Sequence, residues 1–184
     1  MIITISGRPG AGKTTVGRIL AQELGYKFYS MGEFRGEMAQ KLGFTIDQLN
    51  KVGEKEFWTD KKADDFQKKI GQTEDRVVVD GWIAFHFIPK SFKVFVDVKP
   101  KVAAHRVFIN QRPDEEYSDS EKAVEKQLLN RLEETRKRFL KYYQVDFINQ
   151  DYYDLIIDST KIPPEEVVKK IIKALEKYER HKNN

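Results

Sequence analysis

Gly7-Arg8-Pro9-Gly10-Ala11-Gly12-Lys13-Thr14 is the stretch of this chain whose residue types and spacing are suited to chemistry. It fits G-x-x-x-x-G-K-[ST], the pattern of a loop that wraps phosphate. Glycines let backbone N–H groups turn inward around an anion, in conformations a side chain would hinder. A helix beginning at the loop's end adds partial positive charge. Lys13 is then placed to reach β- and γ-phosphates, and the Thr14 hydroxyl to hold Mg²⁺. Gly7 to Thr14, with Thr15 beside it, is predicted to bind ATP.

Such a loop works only between a strand and a helix. Met1 to Ser6 is apolar and β-branched, the pattern of a buried strand. Val16, Ile19, Leu20 and Leu24 recur at helical spacing up to Gly25, a C-terminal cap. Further strands are predicted at 27–30, 76–81, 92–97 and 153–158. Helices are predicted at about 32–42, from Thr45 with Gln48 completing a capping box, at about 54–70, at 101–110 and 120–143, and from Pro163 onward, with a short helix or turn at 82–88. The resulting expectation is an α/β P-loop NTPase fold, with a doubly wound, five-stranded, mostly parallel sheet. In such sheets ligands bind beyond the carboxyl ends of the strands. Residues 7–15, 30–35, 80–86, 97–101 and 158–162 are therefore the ones to examine.

Composition narrows the function. The chain has 184 residues, no cysteine, 40% hydrophobic and 34% charged residues, and a net charge of +4. One domain is expected over 1–184. The missing cysteines exclude disulfides, thiol catalysis and Cys-ligated zinc, and fit a cytoplasmic setting. Neither a membrane-length apolar run nor a signal-peptide pattern is found. Basic residues are interleaved with acidic ones, so anionic small molecules are the expected partners, and nucleic acid is not. A monomer is the default. His86 and His105 have no partner at metal or triad spacing and read as surface or packing residues.

Asp80 ends the third strand on the side where the loop opens. A carboxylate there can hold Mg²⁺ or cap the following turn. Asp60, Asp64 and Gln67 fall on one helix face. That face either reads a base edge or is the solvent side of an exposed helix. Arg131 and Arg138 also share a face, which by itself can be a solvated surface with pairs such as Glu134–Arg138.

Several stretches together resemble the nucleoside monophosphate kinases, and most closely the short cytidylate kinase type of archaea. They are Ile3 to Gly7 entering the loop, Ser30-Met31-Gly32-Glu33, Asp60 to Gln67 and Val78-Val79-Asp80-Gly81. Arg131 to Asp146, with Arg131, Glu133, Arg138, Tyr143 and Asp146 in step, and Tyr153 to Ser159 complete the set. The resemblance implies transfer of the ATP γ-phosphoryl group to a monophosphate, CMP or dCMP first. It implies a helical insertion at about 31–70 that binds the acceptor, and a short lid at about 110–130. Lys13, Arg131, Arg138 and Arg112 would be catalytic, and Arg106 would stack on adenine. Ser30, Arg35, Asp60, Asp64, Gln67, Gly81 and Trp82 would contact the acceptor. Thr14 and Asp80 would hold the metal.

Two positions depart from the family's pattern. Relatives carry an arginine four residues after the glycine of the Ser-x-Gly-Glu stretch. Here Gly36 occupies that place and Arg35 precedes it. Relatives also carry an arginine directly after the glycine that follows the third strand. Here it is Trp82, which cannot clamp a phosphate. These departures leave open a kinase of another small metabolite. The altered acceptor side, with a pI near 9.0, also leaves open a slow NTPase with a regulatory or RNA-associated role.

Overall fold

β1 (Ile2–Gly7) lies at the centre of a five-stranded sheet ordered β2-β3-β1-β4-β5. The computed structural model describes residues 1–111 and 117–182. β2 (Lys27–Ser30) and β3 (Val77–Asp80) flank β1 on one side. β4 (Phe92–Asp97) and β5 (Leu155–Asp158) flank it on the other. All the pairings are parallel, so the expected mostly parallel sheet is wholly parallel. Successive strands cross over through helices, which cover both faces.

The strand sequences follow from that double covering. Ile3, Ile5, Val78, Val94 and Val96 point to one face. There they pack with Val16 and Leu20 of α1 (Lys13–Leu24) and with Val167, Val168 and Ile171 of α8 (Pro164–Lys182). Val77 and Val79 point to the other face, against Ile70 of α4 (Trp58–Thr73). Phe95 joins them on that face, where Leu132 and Phe139 of α7 (Glu121–Tyr143) meet the fully buried Phe147. α5 (Ala84–Phe87) and α6 (Pro100–Phe108) complete the layers.

Three helices separate β2 from β3: α2 (Met31–Lys41), α3 (Ile46–Gly53) and α4. The capping box at Thr45 and Gln48 forms, with both reciprocal bonds in place. α4 begins at Trp58, later than the expected start near Glu54. The reason is a tight crossing, since a Cβ on Gly53 would sit 2.8 Å from Thr59 Oγ1. Residues 54–57 therefore turn between two helices. The helix or turn expected at 82–88 is both, a turn from Gly81 to Ala84 running into the short α5. Of the expected lid, residues 121–130 are the first part of α7, and 112–116 lie outside the described residues.

Candidate active site

The loop after β1 is pinned from both sides. Gly7 has φ 147°, and its backbone passes so close to β4 that a Cβ would fall 2.1 Å from the Val96 carbonyl oxygen. Arg8 N–H donates to that same carbonyl. The Arg8 guanidinium turns onto Asp97, Nε to Oδ1 2.8 Å. Gly10 packs against α6, where a Cβ would meet Ala103 at 2.8 Å. Behind the loop, Ser159 Oγ lies 3.2 Å from the Ala11 carbonyl and 2.9 Å from the Asp97 carbonyl. Arg106 donates to the Ser159 carbonyl at 2.7 Å. The loop's curvature is thus set by β4, α6 and the residue after β5.

A cleft of about 590 Å³ opens over the loop. Pro9 to Thr15 form its floor, and Asp80, Gly81, Trp82, Arg106 and Arg131 stand around it. Lys13 Nζ donates to the Arg8 carbonyl at 2.8 Å. Thr14 Oγ1 donates to Asp80 Oδ2 at 2.6 Å, and Ser30 Oγ donates to the same oxygen at 3.2 Å. Ser30 also caps α2, accepting from Glu33 N–H. A hydroxyl and a carboxylate oxygen within reach of each other, beside a phosphate loop, fit a small hard cation such as Mg²⁺. Such an ion needs few protein ligands, because phosphates and waters complete its shell. Among the described residues no group of three or more His, Cys, Asp or Glu side chains forms a denser metal site.

Beyond Asp80 the insertion presents a buried polar cluster. Asp60, Asp64 and Gln67 of α4 are each at most 5% exposed. Their face is therefore not the solvent side of the helix. Arg35 Nη1 donates to Asp60 Oδ1 at 2.6 Å and to the Thr59 carbonyl at 2.9 Å. Arg138 Nε lies 3.3 Å from Asp60 Oδ2, close enough for ion pairing. Neither of those two buried atoms has a hydrogen-bond partner. Asn50 of α3 accepts from Arg35 Nη2 at 3.1 Å and stands 3.5 Å from Arg138 Nη1. Tyr143 donates to Asp64 Oδ2 at 2.6 Å. Gln67 Oε1 would lie 3.3 Å from a Cβ on Gly81, which brings α4 to the edge of the loop cleft.

Electrostatics follow from this burial. Burial pushes the Asp64 carboxyl up to about 6, with the nearby Asp60 charge adding to the rise and the Tyr143 bond opposing it. The Tyr143 hydroxyl is held above its ordinary range by burial and by the carboxylate it bonds. Burial lowers Arg35, and the neighbouring Arg138 charge adds to that, while Asp60 opposes it.

A model of the cytidylate kinase-like family matches residues 2–161. The chain belongs to this family. A cytidylate kinase of Archaeoglobus fulgidus is 34% identical over 96% of this chain and 95% of its own length. One of Sulfurisphaera tokodaii is 34% identical over 95% of this chain and 94% of its own. The fold is also that of a shikimate kinase of Bacteroides thetaiotaomicron. That structure is 18% identical with a TM-score of 0.65, over 96% of this chain and 98% of that one. The chain is accordingly a phosphotransferase of the nucleoside monophosphate kinase type.

The kinase brings most of the sequence-predicted residues into two adjoining groups. Pro9, Gly10, Ala11, Gly12, Lys13, Thr14 and Thr15 share the loop cleft with Asp80, Gly81, Trp82, Arg106 and Arg131. Gly7 lies at the foot of the loop, and Arg8 directs its guanidinium to Asp97 and away from the cleft. Ser30, Arg35, Asp60, Asp64 and Gln67 gather on the insertion side. Arg138 belongs there too. It does not line the loop cleft but sits on Asp60, and it lines a smaller pocket of about 190 Å³ with Asn50 and Arg131. Arg131 and Arg138, both expected to be catalytic, therefore differ: Arg131 lines both the loop cleft and the smaller pocket, and Arg138 only the latter. Arg112 lies outside the described residues. Trp82 packs edge-on against Phe147.

Three residues of the kinase site were not predicted as such: Asn50, Ser159 and the hydroxyl of Tyr143. Asn50 interrupts the apolar spacing of Leu49 and Val52 and carries no motif. Ser159 and Tyr143 lie inside the stretches that carry the resemblance. The Tyr143 ring packs against Phe139 and Phe87, and its hydroxyl reaches Asp64.

Proposed function

We propose that this kinase transfers the γ-phosphoryl group of ATP, with Mg²⁺, to CMP or dCMP, giving ADP and the cytidine diphosphate. The observation that supports this most is the cleft of about 590 Å³ that Lys13, Thr14, Asp80 and Arg131 line together, with the polar face of Asp60, Asp64 and Gln67 reaching its edge at Gly81. Carboxylates accept from an amino group, and an amide both donates and accepts. Together they complement an edge that offers an amino donor next to a ring acceptor, as cytosine does. Uracil would turn an oxygen towards the carboxylates, so the correct edge is selected by what the wrong one leaves unpaired.

The acceptor's phosphate oxygen is already ionised, so the transfer needs positioning and charge neutralisation more than a base. Lys13 bonds the β- and γ-phosphate oxygens from the loop. Arg131 approaches the transferred group from the α7 wall of the cleft. Arg106, which lines the cleft and bonds Ser159, would stack on the adenine. Thr14 and Asp80 would hold Mg²⁺, which when bound would neutralise charge on the donor phosphates. Arg35 carries the acceptor's charge on the insertion side.

A coupled ADP-release assay across CMP, dCMP, UMP, AMP and GMP tests the reading. The expected result is a turnover with CMP and dCMP well above that with UMP. Turnover with none of them would refute it. A second reading, an acceptor that is not a nucleotide, draws on Trp82 and Gly36 at positions where relatives carry arginines. Thermal stabilisation by such a metabolite and not by CMP would favour it.

A further inference from the structure

Trp82 stands at the border between the loop cleft and the acceptor insertion. Gly81 just before it is closely packed, with Met31, Ala84 and Gln67 within 3.0–3.3 Å of where a Cβ would lie. The indole meets Phe147 edge-on, with centroids 5.0 Å apart and planes at 89°. Phe147 is itself fully buried, so the ring is braced from behind. Its open face lies beneath Lys13, with Nζ 5.4 Å from the ring centroid. An ammonium within about 6 Å of an indole face is attracted to it, more strongly than to any other aromatic side chain.

We propose that Trp82 is a positioning residue for Lys13, holding its ammonium over the loop through the indole face. A lysine stem is flexible, and an ammonium confined before the donor arrives has less freedom to lose when phosphate binds. The indole attracts the lysine and leaves phosphate contact to the cations of the loop, α7 and the insertion. The inference rests on the reading of Lys13 as the cation on the donor phosphates.

The test uses the full chain with Trp58→Phe, which leaves Trp82 as its one tryptophan. Emission is recorded without ligand, then with ATP and Mg²⁺ but no acceptor, while equilibrium dialysis measures nucleotide binding separately. Adding Lys13→Met is expected to shift the emission of the ligand-free protein, since the cation over the ring is removed. In steady-state assays with the acceptor, Trp82→Leu is expected to lower kcat roughly threefold to tenfold with the acceptor KM little changed, and Trp82→Phe to recover much of that loss. Unchanged emission on Lys13→Met, or equal loss of kcat in the Leu and Phe variants, overturns the proposal. Failure of ATP to bind in dialysis would instead strike the donor reading, and the ligand-free emission comparison would still decide the role of Trp82.

Discussion

Arg35 and Asp60 meet in a buried ion pair, Nη1 to Oδ1 2.6 Å, across 25 residues of chain. Arg138 faces the other carboxylate oxygen. The carboxylate is therefore the anion that makes two buried guanidiniums tolerable, and its removal strands both. Asp60→Ala is expected to destabilise the fold by about 3–5 kcal/mol, the cost of breaking a buried pair from one side. Urea unfolding of the variant against the wild type measures it. A loss under about 1 kcal/mol would mean that the guanidiniums find water in the variant.

Asp64 gives the insertion a pH dependence. Its carboxyl titrates near 6 in the fold, against 3.8 for the ordinary side chain. The folded state therefore keeps the proton longer than the unfolded chain. Asp64 contributes most to stability below 3.8, and that contribution is lost as pH rises through about 6. Asp64→Asn carries no charge to desolvate. The variant's melting temperature, taken relative to the wild type, is expected to be higher at pH 8 than at pH 5. A difference independent of pH would show that the carboxyl titrates normally.

How far the sequence reaches depends on how local the determining contact is. The phosphate loop needs only its own residues and its neighbouring strand and helix, so Gly7 to Thr15 could be read directly. The same holds for the capping box at Thr45 and for the strands, whose apolar runs reflect burial on both faces. The start of α4 was misplaced because Glu54-Lys55-Glu56 has good helical propensity, while Gly53 must cross close to Thr59. Asp60 and Arg138 lie on different helices and meet only when α7 folds over the insertion. Their periodicity placed each on a face but could not say what that face met. Asn50 gave no signal, since its role is to accept from two arginines brought from elsewhere.

Thr14 Oγ1 donates to Asp80 Oδ2 at 2.6 Å, and Ser30 donates to the same carboxylate oxygen. Asp80→Asn keeps the shape and removes the charge. Its half-saturating Mg²⁺ concentration is expected to rise roughly tenfold or more, with a smaller change in acceptor KM. Titration of Mg²⁺ at fixed ATP measures this. An unchanged Mg²⁺ requirement would assign Asp80 to capping the turn at Gly81.

Lys13→Met separates chemistry from folding. Lys13 bonds the Arg8 carbonyl and lies over Trp82, both contacts of modest strength. Turnover is expected to fall by at least about a thousandfold, the scale of losing a preorganised charge at the transferred group. Circular dichroism and unfolding midpoint are expected to stay near those of the wild type. A variant of comparable activity would remove Lys13 from the reaction.

Gly7 and Gly12 both have positive φ, yet alanine should affect them differently. At Gly12, φ is 82° and nothing lies within 4 Å of a built Cβ. Only the left-handed backbone is strained there, which costs about 1–2 kcal/mol. At Gly7 the Cβ would fall 2.1 Å from the Val96 carbonyl oxygen, which also accepts the Arg8 N–H. The obstacle is backbone of the adjacent strand, so no rotamer change relieves it. Gly7→Ala must part β1 from β4 at the point where the loop leaves the sheet. It is expected to yield insoluble protein, or a melting temperature well below that of Gly12→Ala, with nucleotide binding lost. Equal melting temperatures for the two variants would mean that the end of β4 yields, and that the loop is not anchored there.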